Sequence, residues 1–175
     1  KTGPSENGGD GTPDKDQVLV KFESAGNGDV TATELGSLVQ VHDKGDVTPR
    51  MAGIETTPNP GYAFDIWTEG NGKTAVNPGQ KRTNVPGGTE IIFKANFAED
   101  AKGGTPENPG DGTPDKYQTE VTFNVENGTW KESGKDGKTV YVDLYEQDPT
   151  TLVWELIPNV KLDDTVIPKE MAADA

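Results

Sequence analysis

The chain has 175 residues, of which only 30% are hydrophobic, with 22 Gly, 13 Pro and no Cys. A formal net charge of −14 speaks against nucleic acid and anionic membrane surfaces, which select Lys/Arg footprints. The lack of Cys excludes disulfides, thiolate catalysis and Cys-based zinc sites, and no apolar run approaches the roughly 20 residues of a membrane-spanning helix.

Residues 1–16 read as a linker dense in Gly, Pro and Asp. It opens mid-linker (KTGPSENGGDG), as a fragment of a longer protein would. A complete module is expected over 17–98. Its first strand is Gln17 to Ser24, with Val18, Val20 and Phe22 on one face and Gln17, Leu19 and Lys21 on the other. Asn27-Gly28 marks a turn, and Ser37 to His42 reads as a second strand. Pro49 is suited to open a short helix, which Pro58 to Gly61 would break. Tyr62 to Thr68 alternates again, with Tyr62, Phe64 and Ile66 on one side and Trp67 opposed. Asn71-Gly72 reads as a hairpin turn. Ile91 to Phe97 closes the module, with Ile91, Phe93, Ala95 and Phe97 facing in.

A second linker is expected over 99–116 and a second module over 117–175. In that module Val121, Phe123 and Val125 share an inward face. Strands are expected at Thr139 to Tyr145 and Thr151 to Ile157, with helix formers from Lys169 to Ala175 after Pro168. The two modules are related. GDGTPDK at Gly9 to Lys15 recurs at Gly110 to Lys116, and Gln17, Val20 and Phe22 match Gln118, Val121 and Phe123. Asn27-Gly28 matches Asn127-Gly128, while Val47, Pro49, Arg50 and Met51 answer Val166, Pro168, Lys169 and Met171. A period near one hundred residues exceeds the roughly 20–50 of solenoid repeats and suits an array of small domains. Nothing after Met171 answers the strands at Tyr62 and Ile91. The second module is therefore expected to be C-terminally incomplete, exposing strand edges and apolar residues such as Val142, Leu144 and Val153.

Candidate chemistry is sparse. Asp10, Gly11 and Asp14, and again Asp111, Gly112 and Asp115, fit the later positions of a calcium loop. The earlier positions hold Glu6 and Gly8, or Glu107 and Pro109, so half the ligands are missing and an acidic spacer is the preferred reading. Tyr62, Phe64 and Trp67 are candidates for a sugar-stacking face, and Trp67, Trp130 and Trp154 are the better surface candidates. Hydrophobic core still outweighs that reading, since aromatics dominate small cores. Lys21 and Asn96 are placed for an intramolecular isopeptide bond, but alternation turns both away from the core. His42, the only His, sits beside Asp43 near a strand end, as a solvated turn residue does. No nucleophile elbow, HExxH or phosphate loop occurs. No catalytic, cofactor-binding or metal residue is assigned, and no enzyme activity is expected.

The VKF opening at Val20 to Phe22, GYAFDIW at Gly61 to Trp67 and GTEIIFKANF at Gly88 to Phe97 resemble the InlB B-repeat (Listeria–Bacteroides repeat) in divergent form. The GDGTPDKYQ and NGTW segments of the second module, Gly110 to Gln118 and Asn127 to Trp130, resemble related repeats of Gram-positive surface proteins. The long Ala52 to Pro60 segment and the Asn96-Phe97 ending depart from the family pattern. The resemblance implies a mainly β, β-grasp-like α+β fold: tandem small-sheet modules, each with at most one short helix. It also implies a stalk or spacer on an extracellular bacterial cell surface, displaying an adhesive or enzymatic domain. Expected partners are neighbouring repeats and, if the module is itself adhesive, a host glycan or protein.

Overall fold

The structure is a computed structural model that describes residues 15–100 and 110–173. It is mainly β; among the described residues the only helical element is a 3₁₀ turn at Asp115–Tyr117. The described residues form two compact units, one running through Pro114 together with Gln147–Trp154, the other comprising Asp115–Glu146 and the residues from Glu155 onward.

The first unit is organised by β1 (Gln17–Ser24), whose side chains are buried on both faces from Gln17 to Val20. Leu19, on the face opposite Val18 and Val20, is only 2% exposed. Such two-sided burial marks a central strand. β1 pairs antiparallel with β3 (Val39–Asp43) and parallel with β8 (Thr89–Glu99), which pairs antiparallel with β6 (Tyr62–Glu69). The result is a mixed four-stranded sheet of order β3-β1-β8-β6. One face carries the core: Val18, Val20, Phe22, Ile91, Phe93, Ala95, Phe97 and Trp67. A second layer covers it, built from two short ladders. One pairs β2 (Gly28–Ala32) with β5 (Ile54–Pro58), the other β4 (Gly45–Val47) with β7 (Arg82–Val85). Val30, Val47, Ile54 and Val85 reach the core from these ladders.

A β-bulge in β6 settles which aromatics are inside. Phe64 lies opposite Phe97, but Ile66 lies opposite Asn96, so Asp65 is the extra residue. Parity flips there. Trp67 joins Phe64 on the core face opposite Ala95, and Ile66 turns outward with Asn96. The strict alternation that set Trp67 against Tyr62 and Phe64 is therefore corrected.

The expected helix after Pro49 does not form. Met51 to Ile54 is a turn closed by the Ile54 amide on the Met51 carbonyl at 3.0 Å, and β5 follows. The burial of Ile54 against the core and the five-residue pairing with β2 outweigh the helix signal of Pro49. Asn71-Gly72 is a turn but not a hairpin, because β6 pairs with β8 while β7 goes to β4.

In the second unit β9 (Gln118–Asn124) pairs antiparallel with β11 (Gly137–Asp143), Gln118 opposite Asp143. That is the pairing of Gln17 with Asp43 in β1 and β3. Beyond the ladder the Leu144 amide meets the Tyr117 carbonyl at 2.8 Å, as the Lys44 amide meets Asp16 at 3.0 Å. β10 (Gly128–Trp130) pairs antiparallel with β14 (Met171–Ala173), Gly128 opposite Ala173, where the first unit sets Gly28 opposite Pro58. The residue before each glycine has positive φ, 63° at Asn27 and 57° at Asn127. Neither glycine has room for a side chain. A Cβ at Gly28 would lie 2.6 Å from the Phe97 ring, and one at Gly128 2.5 Å from the Ala172 carbonyl oxygen.

Two further expectations are corrected here. Helix formers after Pro168 yield the strand β14, whose pairing with β10 overrides propensity. The match of Val47 and Met51 with Val166 and Met171 is not one of structure. Met171 pairs with Trp130, the place Thr56 takes against Val30. Between Asp143 and β14 the chain also forms the short strands β12 (Tyr145–Gln147) and β13 (Trp154–Leu156), paired with each other.

Candidate functional site

Trp67 is 1% exposed and packs edge-on against Phe22, ring centroids 5.8 Å apart. Phe22 stacks on Phe93 at 5.5 Å, and Phe64 meets both Trp67 and Phe97 at 6.0 Å. These rings form one core cluster and offer no stacking platform to solvent. Trp130, 9% exposed, donates its indole N–H to the Phe123 carbonyl at 3.1 Å and so tethers β10 to β9. Trp154 is half-buried in β13. Trp67 and Trp130 are thus spent on packing.

Lys21 and Asn96 are not brought together. Both point away from the core, but Lys21 lies beside Ile92, four residues or about 13 Å along β8 from Asn96. The Lys21 ammonium instead pairs with Glu90 at 2.6 Å. Asn96 donates its side-chain amide to Thr68 Oγ1 at 2.9 Å and to the Lys94 carbonyl at 3.0 Å. Isopeptide chemistry has no geometry here.

His42 is partly buried beside Gln40, its Nε2 3.3 Å from Gln40 Oε1. Burial, and secondarily the charge of Arg50, holds its pKa below the usual value. Gln40 is 4% exposed and acts as a clamp rather than a reactant. Its amide donates to the Arg50 carbonyl at 2.7 Å, and its carbonyl oxygen accepts the Arg50 amide at 2.9 Å. A general acid needs a raised carboxylate pKa. Asp46, Asp148 and Asp163 are shifted the other way. Asp46 is held low by the Lys81 hydrogen bond, Asp148 by the Thr151 and Thr150 amides, and Asp163 by the Thr165 amide.

Of the two calcium-like segments, Asp10, Gly11 and Asp14 lie outside the described residues, as do Glu107 and Pro109. In the other copy Asp111 Oδ1 accepts the Thr113 amide at 2.8 Å, and the Gly112 amide donates to Asp100 at 3.1 Å. Among the described residues no three His, Cys, Asp or Glu side chains gather as metal ligands.

The second unit has an open hollow of about 620 Å³ lined by Thr129, Lys135, Asp136, Thr139 and three glycines, without an aromatic ring. The first has a hollow of about 100 Å³ beside Leu35, Gln40 and Arg50. No helix among the described residues is long and apolar enough to cross a membrane. No family model, no curated protein and no solved structure matches the chain.

Proposed function

We propose that the chain is a non-catalytic tandem-repeat region of a bacterial cell-surface protein, a spacer that displays an adhesive or enzymatic domain. The observation that carries this reading is the recurrence of the β1–β3 register, with its Asn-Gly turn, in β9–β11 about one hundred residues later. Repetition of a small module adds length and reach rather than a reaction centre. The placement of Trp67 and Trp130 in packing roles supports it, since neither is free to hold a sugar.

The mixed sheet, with parallel β1 and β8 at the centre and antiparallel β3 and β6 outside, supports a β-grasp-like module. The connection from β3 to β6, where such a module carries its helix, runs instead through β4 and β5. Likeness of the GYAFDIW and IIFKANF strands to the InlB B-repeat supports an extracellular location with neighbouring repeats as partners.

An array of host glycans and host proteins, probed with and without calcium, tests this reading. A spacer leaves both arrays blank. Binding that Trp154→Ala removes, with the thermal melt unchanged, would replace the spacer by an adhesive module. Trp67→Ala is unsuitable for the purpose, because it empties the core.

A further inference from the structure

We infer that the loop between β12 and β13 of the second repeat is a latch, which closes the core of the first unit with Leu152, so that the first repeat is complete only when the second is present. The first unit is not one continuous stretch of chain. It takes in Gln147–Trp154, a segment that follows β9, β10 and β11 in sequence. Leu152, half-buried, packs against the cluster that includes Val18, Phe22, Phe93 and Trp67.

The loop is an insertion. The first unit passes from β4 to β5 through the single turn at Met51 to Ile54, and β5 pairs with β2. The second repeat reaches the corresponding strand β14, the partner of β10, only after the loop, β13 and a further stretch. What the second repeat adds to the first is therefore, in part, the residue that the first unit's core receives.

The insertion is built to hold one side chain in place. β12 and β13 pair with each other on either side of it. The Asp148 amide meets the Val153 carbonyl at 2.9 Å, and the Leu152 amide meets the Asp148 carbonyl at 2.8 Å. Asp148 Oδ1 accepts the Thr150 and Thr151 amides, each at 2.7 Å, and the Gln147 side-chain amide donates to the Leu152 carbonyl at 3.1 Å. Leu152 has a φ of 57°, in the left-handed region that Gly favours and a branched side chain avoids. A leucine keeps that conformation only where its surroundings over-determine it. Here the hydrogen bonds fix the backbone, and apolar burial against the first unit's core offsets the strain. A second fastening lies nearer in sequence. The Gly112 amide meets the Asp100 carboxylate at 3.1 Å, and Pro114 is fully buried, all within the first unit.

The latch concerns how successive repeats are joined and holds for a spacer and for an adhesive module alike, so the two readings can fail separately. The test is amide hydrogen exchange on the full chain and on its Leu152→Gly and Leu152→Ala variants. Glycine takes a φ of 57° freely, so Leu152→Gly keeps the loop while removing the side chain. The amides to follow are Val18 to Phe22 in β1, and Thr119, Val121 and Phe123 in β9, where odd-numbered residues direct their backbone groups to the β11 side as Tyr117 and Val125 do. Both variants should speed exchange in β1 about ten-fold or more, the scale of removing a half-buried leucine from a core, whether or not β9 follows. Leu152→Met, of similar volume, should restore most of the protection. Unchanged exchange in β1 would overturn the inference, because the side chain would then close nothing. Faster exchange confined to β9 and β11 would overturn it in favour of a loop that serves only its own repeat.

Discussion

His42 lies partly buried beside Gln40 at the edge of the first unit's sheet. Its depressed pKa is a consequence of burial beside Gln40 and of the Arg50 charge, and it has a stability signature of definite sign. The unfolded chain takes up a proton near the ordinary value of 6.5 while the folded chain resists it. Stability from this group is therefore full above about pH 6.5 and declines as pH falls towards the lower folded pKa, below which the loss is constant. Asp46, Asp148 and Asp163 act in the opposite range, since their lowered values matter only where carboxylates protonate. Denaturant melts of the chain and of His42→Gln between pH 5 and pH 7.5 should diverge only in how stability falls below pH 6.5, the variant being flatter. Parallel curves would remove His42 from the account.

At the scale of elements, the bulge at Asp65 governs the aromatic core. Deleting Asp65 removes the extra residue and sets Phe64, Ile66 and Trp67 opposite Phe97, Asn96 and Ala95 in regular alternation, so Trp67 stays on the core face. Losing a buried tryptophan costs about 3–5 kcal/mol, a large part of the roughly 5–15 kcal/mol that holds a small domain. The deletion should therefore keep the near-UV dichroism of the first unit and melt well above Trp67→Ala, which loses that burial. A melt as low as that of Trp67→Ala would show that the bulge itself, and not the register around it, holds Trp67 in the core. This element also marks the limit of what periodicity can reveal. Val18, Val20, Phe22, Ile91, Phe93, Ala95 and Phe97 were legible as core because their strands alternate without interruption. Trp67 was not, because one unpaired residue reverses the pattern and Asp65 carries no signal that it is that residue. The segments after Pro49 and Pro168 misled in a different way. Their local helix signals are weak, and cross-strand pairing, invisible locally, decides them. Leu19 escaped for the same reason: its burial follows from lying in a central strand, which only the parallel pairing with β8 establishes.

For the molecule as a whole, the repeat was the most legible feature and also the one most easily carried too far. Matches near the start of each module, through Asn27-Gly28 and Asn127-Gly128, correspond to matching registers and matching turns. The match of Val47 with Val166 does not, since the 19 residues it spans from Gln147 to Thr165 hold β13 and extra loop. Several polar and aromatic side chains of the described residues are engaged in structure. Lys21 pairs with Glu90, Gln40 clamps Arg50, and Trp130 tethers Phe123. Among the described residues the homologous first strands differ in their partners: β1 lies between β3 and β8, and β9 pairs with β11. Residue-resolved amide hydrogen exchange on the chain alone tests that account most directly. It predicts continuous protection from Val18 to Phe22, and in β9 an alternation, with Thr119, Val121 and Phe123 slow and Glu120 and Thr122 fast. Uniformly fast exchange from Gln118 to Asp143 would show that the second module does not reproduce the first, and uniformly slow exchange would show that β9 has a second neighbour.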